Sequence, residues 1–455
     1  MFNVSLAHDF SIYALRRKKL IDLVKNTYKN ASGAIVLFAG FEGERTSFRQ
    51  ESSFYYFSGI HEPGIVLVLH LSGKVSLYIP NCVENRKKWI FSPIELSQEN
   101  ATKLGVDEVL VLGDACTGYQ FYPFFPEQEY THLIKLFDML VKNKQTIFTL
   151  NPDNPSGYTE QRLILNRIKE FIPDISKVVQ DISPLVASMR RSKDMHEIDL
   201  LYKAVEITIM AQEAAASAIA DGMMECEVQA SLEYIMIGSC TKPSFPSIVG
   251  SGKNSTILHY TNNNGIMKHG DLVVVDIGAE FGNYAADLTR TYPVSGTFTK
   301  RQREIYTIVL ETQQYIADLA KPGMWLSNKE QPDQSLNHLA KKFIAQRGYG
   351  DYFPHGIGHF LGLDVHDVGD YTIPLQEGDV ITIEPGIYIP EEQIGIRIED
   401  DYWIVKNGVV CLSEDLPKSI NAIEQMVQQS LEDTMHAEAD ESDIFDDSND
   451  SGIEH

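Results

Sequence analysis

The stretch from Asp271 to Pro293 constrains the fold most, because it places two carboxylates on one predicted β-hairpin. Four apolar residues lead into Asp276, a turn signal follows, and a second extended run carries Asp287. β-Branched and aromatic runs separated by such a turn are typical of a hairpin. With Phe281-Gly282 as the loop, Asp276 directly opposes Asp287, with Cβ atoms about 5 Å apart. Like charges at that range need a proton or a cation between them, unless one is solvated at a strand end.

A second pair of carboxylates follows the same pattern further along the chain. Glu384 ends an apolar extended run, and Glu399 ends an alternating run that begins after Glu391-Glu392. With the turn at Glu391-Glu392, Glu384 lies opposite Glu399. An isoleucine precedes each carboxylate, which indicates buried strands. For this pair alone, a salt bridge to Arg397 is the simpler alternative.

Three histidines lie between the two hairpins, in the segment PHGIGHFLGLDVHD at 354–367. His355 and His359 have the spacing of a helical zinc pair, but the intervening glycines oppose a helix, and the glutamate of the H-E-x-x-H motif is absent. Glycines instead let the backbone approach a ligand closely. A lone histidine is more often a core or surface residue. Three of them, the third being His366, beside four placed carboxylates favour a metal site.

The predicted donor set of four carboxylates and an imidazole is rich in oxygen. It favours Mn²⁺, with Co²⁺ or Zn²⁺ as alternatives. Four acids exceed what a single open catalytic ion needs and fit two ions about 3.5–4 Å apart. Such a pair lowers the pKa of a bridging water and generates hydroxide at neutral pH. The predicted reaction is therefore hydrolysis of an amide or an ester.

The remainder of the chain predicts three parts of different character. Residues 1–175 alternate strand-like runs (34–39, 64–70, 75–80, 109–112) with helical patterns (16–28, 128–142), which indicates an α/β domain. Proline-containing turns at 172–184 suggest a seam, and residues 185–425 form the predicted catalytic domain, with helices expected at 195–216, 301–319 and 335–347. Residues 430–455 are acidic and poor in large apolar side chains, which predicts a disordered tail.

Charge and cysteine usage limit the partners and the compartment. The formal net charge of −24 argues against nucleic acid and against anionic membranes, because both need a basic face. The five cysteines are scattered and odd in number, so a disulfide framework is not expected and reduced cytoplasmic thiols are. No run approaches the roughly 18 apolar residues of a membrane span. A cytoplasmic protein is therefore predicted.

At this point the motifs resemble those of a known family. GSGKNSTILHYT, VVVDIGAEFGNYAADLTRTYPVSG, HGIGHFLGLDVHDVG, ITIEPGIYI and GIRIEDD are similar, in this order, to the pita-bread metallopeptidases, in the branch of Xaa-Pro aminopeptidase and Xaa-Pro dipeptidase. The run FRQESSFYYFSGIHEPG at 48–64 resembles the same branch. The resemblance implies an α/β (α+β) fold: an N-terminal α/β domain and a C-terminal pita-bread domain whose curved antiparallel sheet holds a dinuclear metal site. A homodimer or homotetramer is also implied.

The resemblance also assigns residues, position by position. It implies two metal ions held by five ligands: Asp276, Asp287, His359, Glu384 and Glu399. Asp287 and Glu399 would bridge the ions, and Glu384 would also carry the proton from water to the leaving nitrogen. His259 and His366 would contact substrate and stabilise the oxyanion. Three further residues would line the site or support the ligands, with simple packing as the alternative: His355, Tyr388 and Arg397.

The implied activity is release of the N-terminal residue from peptides with proline in second position, as in an Xaa-Pro aminopeptidase. A dipeptidase restricted to Xaa-Pro dipeptides is the nearest alternative. A binding protein on the same fold is a second one, which the acidic tail would suit, although it would not need all five ligands. A metal-free creatinase-like hydrolase would not need them either. A methionine aminopeptidase lacks an N-terminal domain of this kind.

Overall fold

The computed structural model describes residues 10–43, 47–81, 94–115, 127–151 and 158–429. Its contacts divide the chain into two compact units between Arg190 and Arg191. The predicted acidic tail lies outside the described residues, as do Cys82 and Cys116. The three described cysteines are free thiols: Cys226, Cys240 and Cys411. Among the described helices, none combines the length and the apolar character needed to cross a membrane.

The N-terminal unit is built on a six-stranded mixed sheet in the order β4-β3-β2-β1-β5-β6. The central strands β1, β2 and β3 are antiparallel, whereas β4, β5 and β6 join in parallel. The strand bounds are β1 Gly33–Phe38, β2 Val66–His70, β3 Val75–Ile79, β4 Glu108–Val111, β5 Thr146–Thr149 and β6 Val179–Asp181. The four strands predicted in this region are confirmed, with ends shifted by one or two residues.

Within the described residues of this unit, six α-helices accompany the sheet: α1 Ser11–Thr27, α2 Ser52–Ser58, α3 Gln98–Lys103, α4 Thr131–Lys142, α5 Thr159–Phe171 and α6 Ser183–Arg191. Helix α4 lies within the range 128–142 that was predicted to be helical, and it buries Leu133, Phe137 and Leu140 against the sheet. The aromatic run that received no assignment from sequence is the short buried helix α2. Glu51 caps it through its carboxylate, which accepts from the amides of Ser53 and Phe54.

The C-terminal unit consists of helices and small antiparallel sheets of two or three strands. Its helices are α7 Met195–Ala218, α8 Glu225–Gly238, α9 Lys300–Leu319 and α10 Leu336–Ala345. Its strands are β7 Lys242–Pro243, β8 Ile248–Ser251, β9 Leu272–Ile277, β10 Ala279–Phe281, β11 Tyr284–Ala285, β12 Leu288–Pro293, β13 Val380–Ile383, β14 Gly386–Ile389, β15 Ile394–Arg397, β16 Asp400–Val405 and β17 Gly408–Cys411. The three helices predicted here are confirmed, and α8 is an additional one.

The first hairpin forms as predicted, but its register is two residues away from the prediction. Asp276 pairs with Thr289, and the loop is Gly282-Asn283 rather than Phe281-Gly282. Both loop residues have positive φ, 57° and 66°, as a type I′ turn requires, and glycine and asparagine accept that conformation more readily than phenylalanine does. Direct opposition of Asp276 and Asp287 is therefore wrong. A two-residue shift keeps both on the same face, so they remain diagonal neighbours.

The second hairpin has the predicted register. Gly386 pairs with Arg397 in the β14–β15 ladder, and Ile383 pairs with Asp400 in the β13–β16 ladder. Glu384 and Glu399 lie opposite each other in the gap between these two ladders. Pro385 stands in this gap and cannot donate a backbone hydrogen bond, so the pairing is interrupted there.

The first hairpin contains a matching gap. Its register is the same on both sides, with Ile277 paired to Leu288 and Glu280 paired to Ala285, which places Gly278 opposite Asp287. A Cβ atom on Gly278 would overlap the carbonyl oxygen of Ala286, so only glycine allows this close approach. Each hairpin thus continues from one small sheet into another, and at least one candidate metal ligand lies in the gap between the two sheets.

Candidate metal centre

One cavity of about 200 Å³ brings the predicted site residues together. It is lined by Leu258, His259, Asp276, Asp287, His355, His359, His366, Glu384, Arg397 and Glu399. Tyr388 is the one predicted residue that does not line this cavity. It lies behind the wall, where its hydroxyl contacts His355 and Arg397. Residues separated by more than 100 positions in the chain therefore converge on one concave, acidic surface.

His359 is held so that its Nε2 atom faces the carboxylates. Its Nδ1 atom lies 3.1 Å from the carbonyl oxygen of Phe360, which assigns the proton to Nδ1 and leaves a lone pair on Nε2. Nε2 is 3.4 Å from Asp287 and 3.8 Å from Glu384. Donor atoms of Asp287, His359 and Glu399 all lie within 4.8 Å of one another, as a shared cation would require.

Arg397 and Thr289 connect the two carboxylate pairs. Arg397 donates from Nη2 to Asp276 at 2.5 Å and from Nε to the Thr289 hydroxyl at 3.1 Å. That hydroxyl in turn donates to Glu399 at 2.7 Å. The ion pair that the structure shows for Arg397 is with Asp276 of the other hairpin, not with the glutamate pair for which a salt bridge was considered from the sequence. One guanidinium beside four carboxylates leaves a large excess of negative charge.

The pKa values of three carboxyl groups record this excess. Burial, followed by the charges of Asp276 and Asp401, raises the pKa of Asp287 well above its usual range. Burial and the neighbouring Asp287 do the same to the pKa of Glu399. Burial also raises the pKa of Glu384 to about 7. The ionised forms of these groups are therefore unfavourable unless cations balance them.

The donor set fits divalent metal ions. Asp276 is buried, and its Oδ1 atom has no hydrogen-bond partner among the described residues, although Oδ2 is paired with Arg397. An orphaned carboxylate oxygen that faces other carboxylates is a ligand position. Oxygen donors with one imidazole match Mn²⁺, Co²⁺ or Zn²⁺. A cation at this position would reverse the unfavourable charge balance.

The remaining histidines differ in their surroundings. His355 contacts the Gly356 carbonyl through Nδ1 and the Tyr388 hydroxyl through Nε2, and burial lowers its pKa to about 3. His366 is exposed and packs edge-to-face on His359, with ring centroids 4.2 Å apart. His259 is also exposed and lies in a turn after a short 3₁₀ segment, not in the extended piece predicted from sequence.

Two residues that support the site were missed in the sequence. Thr289 is fully buried between Arg397 and Glu399. Asp401 is also fully buried, and its Oδ2 accepts the backbone N–H of Asp287 at 3.2 Å. The Glu-Asp-Asp run was a usable signal for Asp401, since three consecutive acids after an apolar strand cannot all face solvent. No comparable signal marked Thr289.

Comparisons with known proteins agree with this arrangement. The model of metallopeptidase family M24 matches residues 199–406, and that of the aminopeptidase P N-terminal domain matches residues 13–117. The Xaa-Pro aminopeptidase of Escherichia coli K12 is 34% identical over 90% of this chain and 96% of its own. This chain belongs to metallopeptidase family M24, in the Xaa-Pro aminopeptidase branch. The predicted family is thus confirmed.

Two further M24 proteins define the range of similarity. The Xaa-Pro dipeptidase of Pyrococcus horikoshii is 38% identical over 68% of this chain and 86% of its own. The structure of Escherichia coli aminopeptidase P with the inhibitor Pro-Leu matches with a TM-score of 0.77 and 30% identity, covering 93% of this chain and 99% of that one. The predicted fold, an N-terminal α/β domain followed by a pita-bread domain, is confirmed.

Proposed function

We propose that this chain is a metal-dependent exopeptidase that hydrolyses the Xaa-Pro bond at peptide N-termini and releases the N-terminal residue. The observation that carries the proposal is the cavity in which four carboxylates and the free Nε2 of His359 converge. Relatives named Xaa-Pro aminopeptidase match nearly the whole chain, including its N-terminal part. The similarity to these relatives therefore covers the N-terminal domain as well as the candidate metal centre.

The proposed cofactor is a pair of divalent ions, with Mn²⁺ favoured and Co²⁺ or Zn²⁺ as alternatives. Five side chains would hold them: Asp276, Asp287, His359, Glu384 and Glu399. The proposed bridging ligands are Asp287 and Glu399. The charge of Asp287 raises the pKa of Glu399, and both belong, with His359, to the group of donor atoms within 4.8 Å of one another. When bound, the ions would supply Lewis acidity that lowers the pKa of a water molecule.

Glu384 is the proposed proton carrier. Its carboxyl group lies at the cavity wall, 3.8 Å from Nε2 of His359 and 3.6 Å from Nδ1 of His355. A carboxylate within hydrogen-bond reach of both the attacking water and the leaving nitrogen can accept a proton from one and return it to the other. Glu384 would take the proton from the attacking water and give it to the leaving proline nitrogen, which has no hydrogen of its own in an Xaa-Pro bond.

Two exposed histidines are the proposed substrate contacts. His259 and His366 both line the cavity. Partial burial of the His366 ring and the neighbouring His359 lower the pKa of His366, which favours its neutral form. A neutral imidazole can donate one hydrogen bond to the oxyanion that develops during hydrolysis. His355, Tyr388 and Arg397 would shape the wall that receives the proline ring.

An Xaa-Pro dipeptidase is the second candidate, because a relative of that name is 38% identical over 68% of the chain. Hydrolysis of Ala-Pro-Ala beside Ala-Pro, with Mn²⁺ and after chelation, separates the two. Chelator-sensitive cleavage of the tripeptide supports the aminopeptidase, and cleavage of the dipeptide alone supports the dipeptidase. If neither peptide is cut with Mn²⁺, Co²⁺ or Zn²⁺, the enzyme proposal fails and a binding function replaces it.

Assembly and location complete the proposal. From the family resemblance we propose a homodimer or homotetramer, which light scattering would measure directly. A cytoplasmic location is proposed with it, and imaging of the tagged chain would test that part. The proposed substrates are short peptides with proline in the second position.

A further inference from the structure

A buried glutamine on helix α7 joins the two strands that carry the aspartate pair. The side-chain amide of Gln212 donates from Nε2 to the carbonyl oxygen of Val275 at 3.1 Å and to that of Leu288 at 2.8 Å. Val275 directly precedes Asp276, and Leu288 directly follows Asp287. Gln212 is fully buried, and the Tyr292 hydroxyl donates to its Oε1 at 3.0 Å, which fixes the orientation of the amide.

A second glutamine, on helix α9, repeats the arrangement at the glutamate pair. Gln313 donates from Nε2 to the carbonyl oxygens of Ile383 and Ile398, at 3.2 and 3.3 Å. These residues directly precede Glu384 and Glu399. A third acceptor, the Asp400 carboxylate, lies 3.0 Å away. Gln313 is fully buried as well.

Three of the four carbonyls that the glutamines bind adjoin the gaps at which the strand ladders are interrupted: those of Leu288, Ile383 and Ile398. The fourth, that of Val275, lies two residues inside the β9–β12 ladder. Backbone carbonyls next to a gap lose part of their ladder pairing, and buried carbonyls need a donor. A primary amide carries two hydrogens on one atom, so a single side chain can serve two strands at once. The amide then fixes the distance between the two carbonyl oxygens that it binds. Because the carboxylate residues are adjacent in the chain to these carbonyls, the amide also influences the separation of the carboxylates.

Simple packing accounts poorly for Gln313. Its Oε1 atom is buried and has no hydrogen-bond partner within the part of the chain that the structure describes. A buried amide with one unsatisfied end is a poor choice for filling a core, where an apolar side chain of similar shape is favoured. The donor end, with its three acceptors, is the feature that distinguishes glutamine at this position.

We propose that Gln212 and Gln313 are positioning residues that set the separation within each carboxylate pair and thereby the affinity of the site for divalent metal ions. The proposal rests on the proposed function, because it assigns the carboxylates as metal ligands. Neither glutamine lines the cavity, so neither touches metal or substrate. Each glutamine acts from a helix through hydrogen bonds to the backbone. Gln212 acts on the strands of the aspartate pair and Gln313 on the strands of the glutamate pair.

The test replaces each glutamine by methionine, which has a similar length and volume but donates no hydrogen bond. The dissociation constant for Mn²⁺ is measured by titration calorimetry of the full chain, beside the melting temperature of the chelated protein. Gln313→Met and Gln212→Met are each expected to weaken Mn²⁺ binding by roughly 10–100-fold, as removal of a ligand-orienting group does.

Two control variants separate positioning from general destabilisation. Ile316→Val truncates a fully buried residue of the same helix and is expected to lower the melting temperature without changing Mn²⁺ affinity. Gln314→Met alters the adjacent glutamine, which bonds the exposed Asp318, and is expected to change neither quantity. If a methionine variant does not fold, Gln→Asn is used instead, since its amide is too short to reach both carbonyls, and the same loss of affinity is expected.

Wild-type affinity in the glutamine variants, together with a lowered melting temperature, would overturn the positioning role and leave the metal site intact. Absence of Mn²⁺, Co²⁺ and Zn²⁺ binding by the wild-type protein would instead overturn the proposed function, and the positioning role with it. The two failures are therefore distinguished within one titration series.

Discussion

Replacement of Glu384 by glutamine should stabilise the metal-free protein, and the gain should depend on pH. Burial raises the pKa of Glu384 from 4.5 to about 7. Between these values the folded protein keeps the proton and the unfolded chain has lost it, so the free energy of unfolding of the wild type falls as pH rises. A pKa difference of this size between the folded and the unfolded protein corresponds to about 3 kcal/mol in the free energy of unfolding. Glutamine does not ionise, so Glu384→Gln escapes this loss.

The assay is urea or thermal unfolding of both proteins with chelator present, from pH 4.5 to pH 8. The difference in unfolding free energy is expected to grow by about 3 kcal/mol up to pH 7 and then to remain constant. This corresponds to roughly 6–12 °C in melting temperature for a unit of this size. A difference that does not change with pH would refute the reasoning.

Three further outcomes are expected. Asp287→Ala should lower kcat on Ala-Pro-Ala by more than roughly 10³-fold, and near-normal turnover would exclude a bridging role. Thr289→Val removes a hydrogen bond to Glu399 and should weaken Mn²⁺ binding roughly tenfold in calorimetry. The control is Thr291→Val, because in the described structure the Thr291 hydroxyl bonds only the backbone N–H and carbonyl of Arg397. This control should leave Mn²⁺ binding unchanged. Glu225→Gln should lower the free energy of unfolding, measured in urea at pH 7, by about 1–3 kcal/mol. Burial raises the pKa of this carboxyl, but hydrogen bonds from residues 251, 254 and 265 outweigh burial and hold it below 4.5. The stabilisation is therefore present above pH 4.5 and lost on acidification, and an equal effect at pH 3 would contradict it.

Sequence patterns predicted the faces of the strands better than their pairing. Alternation placed Asp276 and Asp287 on one side of the first hairpin, and a register error of two residues did not change that side. The error came from the turn, because positive φ at both Gly282 and Asn283 decides the loop, and the sequence also allowed Phe281 within it. In the second hairpin the loop is centred where it was predicted, so the pairing was correct.

Supporting polar residues were beyond the reach of pattern reasoning. Thr289 and Gln313 are fully buried, yet their residue types are usually exposed, and nothing local indicates otherwise. Their burial follows from partners more than 80 positions away in the chain. Helix α8 was missed because apolar residues such as Tyr234 and Ile237 also lie on its exposed face, which obscures the four-residue spacing of the buried Val228, Leu232 and Met236. Long-range contacts, not local propensity, decide these positions.

The interrupted ladders separate the hairpin tips from the chemistry. Beyond the gap at Glu384 and Glu399, the β13–β16 ladder holds its own register, so the glutamates do not depend on the tip at 390–393 to stay opposed. Loops of different length could therefore be exchanged at that tip while the ligands keep their places. A single residue inserted next to Pro385 would have the opposite effect, because it would turn every following side chain of that strand to the other face. Insertions and deletions should therefore be tolerated at the tip at 390–393, whereas the chain length next to Pro385, a few residues away, is fixed.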